Sequence, residues 1–500
     1  MVEGEGTPAK SGGPALQVIV LGSGGGPRED NTTAFLVRST ASGWKRGSIL
    51  AVDAGTHLAA IRRILESHEP STKERPVTLT DGPFHGLKIP HISSLANAAY
   101  FTHTMIDTFL ITHPHLDHIT GFVVNTAALP NSRPKRLAGL PSTIEAIKDH
   151  IFNNVIWPNL SDENNGAGLV TYMRLVDGGS PALGNAQGRG YVEVCDGLSV
   201  KTWSVSHGHC IENHSHRGST QIDNPHEMSR SGSGMGFQGS PRSLSGDNYM
   251  SPGLPYRYNT LERVCVYNSS AHFIRDLATG REVLIFGDVE PDSLSLLPRN
   301  RQVWREAAPK VAGGELGAIF IECSYDDSRP DEQLFGHLAP RFLIEELKVL
   351  ASEINQFQNK DKTKDTKKRK RVASINSIDQ RSRRSTRSSL EPSDVEYSQT
   401  SPPSPLTKVH APAIDVEIRE TRSHTDPAAA SQEISLGLQG HKSREFPLAG
   451  IKVVIIHVKD ILDDGPPVGD VIINELNEYD EEARLGCEFI LSRPGEDVYL

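Results

Sequence analysis

Three imidazoles and a carboxylate fall within six residues, at His113-Pro-His115-Leu-Asp117-His118. Imidazole nitrogen and carboxylate oxygen are donors well suited to zinc. His113 and His115 are two apart, so they can point the same way and grip one ion. Asp117 and His118 follow at a turn and can address a second ion nearby. A polar surface loop carrying three histidines by coincidence is the bland alternative, and composition argues against it. A two-ion site needs more donors, and strand ends offer them: His207 after SVKTWSVS, Asp288 after EVLIFG and His457 after KVVII. Each alone could be an ordinary strand-end residue. Together they complete two sites, because a carboxylate at Asp288 can bridge both ions. His209 is an alternative to His207, being on the same side by alternation. His214, His216 and His226 fall in a stretch with scarcely an aliphatic run, where solvated histidines are expected.

The elements that must position these residues read as α/β. Buried strands are expected at Leu16 to Gly22, Thr33 to Val37 and Ser48 to Gly55, followed by a helix with His57, Leu58, Ile61 and Leu65 at helical spacing. TFLIT (Thr108 to Thr112) runs straight into the histidine cluster, the place where open α/β sheets put active-site loops. Further strands are read at Leu198 to Ser206, Arg263 to Ser270, Glu282 to Asp288, Leu316 to Ser324 and Ala449 to Val458. The Asp-Leu-Ala-Thr-Gly text between the second and third of these is a hairpin signal. The glycine loop Leu21 to Asp30 lacks the Lys-Ser/Thr of a phosphate-binding P-loop and reads as structural. Asp53 ends a strand and is expected to orient a ligand histidine rather than bind metal.

Five hundred residues allow up to about three domains, or one large α/β domain with insertions. Hydrophobic residues are only 37%, so part of the chain is expected to join no core. Residues 1–14 read as a flexible N-terminus, 212–255 as an inserted loop, and 351–445 as a disordered insertion, basic and then Ser/Pro-rich. The folded domain is then written in two pieces, 15–350 and 446–500. Between Lys360 and Arg387 there are 12 Lys/Arg against 3 Asp, which leaves about −19 on the rest of a chain whose net charge is −10. That balance speaks against nucleic acid as a partner. KKRKR (Lys367 to Arg371) reads as a nuclear-localisation or acidic-partner patch, or as a solvated run without a dedicated role. Ser385 and Thr386, after Arg383-Arg384, suit a basophilic kinase. No stretch approaches the ~20 apolar residues of a membrane span, and MVEGEGTPAK has no apolar signal core. Five scattered cysteines form neither a CxxC pair nor a disulfide framework. A cytoplasmic protein, with access to the nucleus, is the expectation.

The text THPHLDHITGFVV, with later strand-end His, Asp and His, resembles the metallo-β-lactamase superfamily. Within it, the class II (fungal-type, low-affinity) cyclic-nucleotide phosphodiesterases have the most similar signature. That signature has a small aliphatic residue and a Ser where this chain has Phe122 and Thr126; both departures flank the ligands rather than replace them. The resemblance implies an αββα sandwich of two mixed sheets with helices outside. It implies two zinc ions, or another divalent metal: one held by His113, His115 and His207, the other by Asp117, His118 and His457, with Asp288 bridging. It implies hydrolysis of 3′,5′-cyclic AMP, and of cyclic GMP, to the 5′-monophosphate by a metal-bound hydroxide, which lowers the cyclic-AMP signal. Asp117 and His337, in LFGHLAP, are the catalytic candidates, His337 as donor to a phosphoryl or leaving oxygen with Glu322 supporting it. A homodimer is a further expectation. The rivals are a transfer-RNA 3′-end nuclease with the same ligands, a thioester or lactam hydrolase, and a scaffold that would lack ligands.

Overall fold

In the computed structural model, the residues described are 13–126, 133–185, 188–212, 219–221, 263–378 and 446–500. The chain divides into two units, Met1–Phe357 with Glu445–Leu500, and Gln358–Arg444. The architecture that follows is that of the first.

Two large sheets carry the fold. The first has the order β19-β1-β2-β3-β6-β7-β8, built from Asp497–Tyr499, Leu16–Gly22, Ala34–Ser39, Ile49–Val52, Ile106–Leu110, Lys135–Gly139 and Val170–Arg174. Its β1, β2, β3 and β19 pair antiparallel, and β3, β6, β7 and β8 pair parallel. The second has the order β11-β12-β14-β15-β16-β17-β18, from Val192–Cys195, Leu198–Glu212, Arg263–Asp276, Glu282–Phe286, Leu316–Glu322, Lys452–Ile456 and Glu488–Leu491, with β13 (Ser219–Gln221) also paired to β14. It too is antiparallel up to β15 and parallel beyond, and two short pairs stand apart, β4 (Val77–Thr78) with β5 (Lys88–Ile89) and β9 (Ser180–Asn185) with β10 (Gly188–Gly190).

The strands are apolar on both faces because each sheet is covered on both. Along β1, Leu16, Val18 and Val20 face the layer between the sheets, where Phe35, Val52, Val283, Phe320 and Ile456 meet them. Ile19 and Leu21 face the other way, toward helices α1 (Leu58–His68), α2 (Ser94–Thr104), α3 (Leu116–Thr126) and α4 (Pro141–His150). The second sheet turns Phe286, Ile319 and Val453 toward α5 (Asn300–Ala312), the turns of α6 (Pro340–Ile378) up to Ile354, and α7 (Val468–Ala483). Rings of Phe35 and Phe320 meet edge-on across the sheets, 5.7 Å between centroids. Each such buried ring is worth roughly 1.5–3 kcal/mol. The αββα sandwich with two mixed sheets is therefore as expected.

Two expectations are corrected. Helix α6 begins at Pro340 and runs to Ile378, so the segment read as irregular from 351 starts as helix. Ala351 and Ile354 continue the buried stripe of Leu343, Leu347 and Leu350, and the next residues contain neither Gly nor Pro to break the helix. Strand β12 does not end at Ser206 but continues to Glu212, with its register to β14 shifting between Ser206 and His209. The helix expected from His57 and the hairpin around Gly280 (φ +77) form as expected. Most of the expected 1–14 and 212–255 segments lies outside the described residues.

Candidate metal centre

Strands β3, β6, β15, β16 and β17 all finish at one end of the sandwich, and the residues that end or follow them are Asp53, His113, Asp288, Glu322 and His457. Parallel register holds neighbours level: Val52 opposes Leu110, and Glu322 opposes Ile456. The turn from β6 into α3 carries His113 and His115, closed by His118 N donating to His115 O at 3.0 Å, and Asp117 stands in the first turn of α3. His207 lies at the bulge of β12. Beside it a Cβ on Gly336 (φ +82) would fall 2.6 Å from Gly208 N and 2.9 Å from His207 C, so only glycine lets the two backbones touch. The glycine loop after β1 makes a similar approach: a Cβ on Gly25 would lie 2.5 Å from His457 Nε2.

Hydrogen bonds settle which nitrogen of each ring faces inward. Thr33 Oγ1 donates to Gly24 O, so its contact with His457 Nδ1 at 2.7 Å is one it accepts. Thr112 Oγ1 donates to Asp53 Oδ2 and is 3.1 Å from His113 Nδ1. His118 Nδ1 donates to Asp53 Oδ2 at 2.7 Å, and His207 Nδ1 donates to Gly336 O at 2.9 Å. With Nδ1 engaged, Nε2 is the ring nitrogen turned inward, and a ligand histidine is normally fixed in this way. His113, His118 and His457 each hold a buried Nε2 without a hydrogen-bond partner, as does Asp288 Oδ1.

Those atoms converge on Asp288. Its Oδ2 is 3.6 Å from His113 Nε2, 3.5 Å from His207 Nε2 and 3.2 Å from His457 Nε2, and its Oδ1 is 3.2 Å from His118 Nε2. Asp117 Oδ2 is 3.8 Å from His118 Nε2 and 3.6 Å from His457 Nε2. Three sets of four donors, each within 4.8 Å of one another, result: His113, His115, His207 and Asp288; Asp117, His118, His457 and Asp288; and His207, Asp288, Glu322 and His337. Two donors about 2.1 Å from a tetrahedral cation sit about 3.4 Å apart. The observed separations and the unpartnered buried nitrogens fit divalent cations.

Electrostatics follow from burial. Desolvation pulls His207 down to about 4 and His113 well below its ordinary value, so both favour the neutral form, the form in which an imidazole can bind a cation. Burial also opposes charge on Asp288 and His118. The rings of His457, His118 and His113 overcome it for Asp288 and hold the carboxyl well below the usual range. Asp288, Asp53 and Asp117 overcome it for His118 and hold that imidazole well above the usual range.

Glu322 is fully buried, accepts from Val289 N at 2.7 Å and Ser324 Oγ at 2.6 Å, and is pushed up to about 7 by desolvation and by Asp288. His337 Nδ1 is 2.9 Å from Glu322 Oε2, and desolvation holds that imidazole well below its ordinary value. His337 stacks on His457 at 5.3 Å and lines a cavity of about 700 Å³ with His115, His207, Tyr267, Leu294 and Phe335. That size suits a small-molecule ligand. A cavity of about 650 Å³ near Tyr191 pairs Lys201 with Glu306 and Lys310 with Glu282, and no metal-ligand set lies there among the described residues.

All seven expected metal ligands are thus brought to one centre, with His337 beside it. His209 is exposed, because the bulge at Gly208 (φ +73) breaks the alternation that would have aligned it with His207. His214, His216, His226, Ser385 and Thr386 lie outside the described residues. Sequence reading missed Thr33, Thr112 and Gly336, whose contacts orient the rings. Thr33 and His457 are 424 positions apart, and nothing local marks either as the other's partner.

The class-II cAMP phosphodiesterase family matches residues 16–363. A 3′,5′-cyclic-nucleotide phosphodiesterase of Schizosaccharomyces pombe is 29% identical over 338 residues, covering 67% of this chain and 75% of that protein. The 3′,5′-cyclic-nucleotide phosphodiesterase 1 of Saccharomyces cerevisiae is 27% identical over 383 residues, covering 69% and 85%. The crystal structure of unliganded yeast PDE1 shares the fold, with a TM-score of 0.56 at 19% identity over 97% of this chain and 100% of that one. With a metallo-β-lactamase sandwich, a convergent His/Asp centre and a family match across most of its length, this chain belongs to the class-II cAMP phosphodiesterases.

Proposed function

We propose that the protein hydrolyses 3′,5′-cyclic nucleotides, cyclic AMP and also cyclic GMP, to 5′-monophosphates, using two zinc ions. The observation that carries this reading is the convergence of the four-donor sets on Asp288, in a chain of this family. His113, His115 and His207 would hold one ion and Asp117, His118 and His457 the other. When bound, divalent cations supply Lewis acidity and lower the pKa of water toward neutrality.

The chain's own residues do the rest. Asp53 and Thr112 keep His118 and His113 presenting Nε2, and Thr33 does the same for His457. His337 faces the cavity, where its ring can donate a proton to the departing 3′ oxygen. Glu322, pushed up to about 7, is protonated in part at neutral pH and is aimed at His337 Nδ1, so in that form it can restore that proton from behind. Tyr267 and Phe335 offer aromatic faces to a nucleotide. Loss of the substrate would lower a cyclic-AMP signal. Among the described residues, no helix is long and apolar enough to cross a membrane.

The test is a side-by-side assay of cyclic AMP, cyclic GMP and bis-p-nitrophenyl phosphate, with and without a chelator. Chelator-sensitive turnover of both cyclic nucleotides to 5′-monophosphates is expected. Hydrolysis of the activated ester alone would overturn the substrate assignment, and full turnover after exhaustive metal removal would overturn the role of the cations.

A further inference from the structure

Past the bulge at Gly208, strand β12 places Cys210 directly opposite Cys265 of β14 in antiparallel register. Residues opposed in this way project to the same face, with Cα atoms about 4.5–5.5 Å apart. Disulfides span Cα separations of about 4.4–6.8 Å, so this register meets the distance requirement without strand slippage. Both cysteines are free thiols.

The remaining cysteines have no such arrangement. Cys195 and Cys323 are buried, and burial pushes both thiols up. Cys487 is half-buried, with its thiol pushed up to about 12 by desolvation. Cys210 is partly open to solvent, whereas Cys265 is fully covered. The pair therefore divides naturally into one sulfur that a solute can reach and one that waits behind it. It also adjoins the catalytic cavity. Cys210 follows His207 by three residues, and Cys265 stands two residues before cavity-lining Tyr267, on the same face of β14 by alternation. The Tyr267 ring lies 6.1 Å from that of His115.

We propose that Cys210 and Cys265 are a modification site: a dithiol that hydroperoxides oxidise reversibly to a cross-strand disulfide in the cavity wall. Cys210, as thiolate, attacks one peroxide oxygen. The O–O bond breaks, leaving Cys210 as a sulfenic acid and releasing hydroxide or alkoxide. The Cys265 sulfur then attacks the Cys210 sulfur, the S–O bond breaks, and hydroxide departs and takes up the thiol proton as water. Two electrons have passed from two sulfurs to one peroxide. A dithiol reductant reverses the change by exchange. In a reducing compartment such a pair rests as thiols, and transient disulfides there are characteristically redox-sensing. The proposal does not depend on which nucleotide the cavity takes.

The experiment uses the full-length chain with its metals bound. After excess hydrogen peroxide, the protein is unfolded, its remaining thiols are alkylated and its peptides are mapped by mass. The five cysteines should yield three alkylated thiols and one linked peptide pair joining Cys210 to Cys265, lighter by two hydrogens. Dithiothreitol should return all five. Cys210→Ser and Cys265→Ser should each abolish the linked pair, and mapping of the unsubstituted chain carries the test should either variant fail to fold. Five persistent thiols would overturn the proposal. So would linkage of a different pair, or Cys210 collecting as sulfenic acid while Cys265 stays alkylatable.

Discussion

Asp288 concentrates more of the chemistry than any other side chain here, since four imidazole Nε2 atoms lie within 3.6 Å of its two oxygens. Asp288→Ala removes a donor from both sets at once. Metal analysis of the purified variant should find both sites depleted. Turnover should fall beyond the roughly 10–100-fold typical of a residue that only supports a ligand. Two retained metals with near-normal turnover would take Asp288 out of the centre. His337 is a different kind of residue: it falls in the third donor set, but its Nδ1 is engaged by Glu322, and the two proposed ions are assigned to the other two sets. His337→Ala should keep metal content and thermal stability while losing about 10²–10⁴-fold in rate on cyclic AMP. The loss should be much smaller on bis-p-nitrophenyl phosphate, whose leaving group needs little protonation. Equal losses on both substrates would assign His337 to phosphate binding instead.

At the scale of elements, the centre depends on backbone that touches backbone. The bulge in β12 and the loop before α6 meet at Gly208 and Gly336, and this contact aims His207 through the Gly336 carbonyl. Gly336→Ala puts a Cβ 2.6–2.9 Å from main-chain atoms that cannot swing aside, at a φ that itself costs an L-residue roughly 1–2 kcal/mol. The variant should melt earlier and lose metal from the proposed site of His207 before the other proposed site. Thermal denaturation with metal titration reads both effects. Unchanged melting and stoichiometry would mean that the strand and the loop part without consequence.

Across the whole molecule, the sandwich buries histidines that have nothing to do with the centre. Desolvation pulls His57, packed against Phe109, and His272 down to about 3 each. A base whose folded value is depressed stays uncharged in the native state while the unfolded chain takes up a proton. The stability it contributes is therefore complete above pH 6.5 and is lost progressively as pH falls from 6.5 toward 3. In that window each site steepens the decline by about 1.4 kcal/mol per pH unit. Urea unfolding of His57→Phe beside the parent, from pH 7.5 to 4.5, should show a shallower pH slope in the variant whatever its absolute stability. Parallel curves would show that His57 takes up its proton in the folded state.

The sandwich was legible in the sequence because strands covered on both faces are written as unbroken apolar runs: LQVIVLG became β1 residue for residue. The His and Asp side chains that converge at the centre, and their strand-end placement, were legible for the same reason, since a lone His or Asp after KVVII or EVLIFG stands out against its surroundings. Helix α6 was not read from the sequence, because the charged composition after Ala351 hides the short apolar stripe of Leu343, Leu347, Leu350 and Ile354 that packing holds. The choice of His207 over His209 was left to the bulge, which depends on Gly208 meeting Gly336, 128 residues along the chain. Contacts at that separation leave no local periodicity. The pairing of Cys210 with Cys265 is of the same kind. Sequence sets which side chains each strand can offer, and strand register alone decides which of them come face to face.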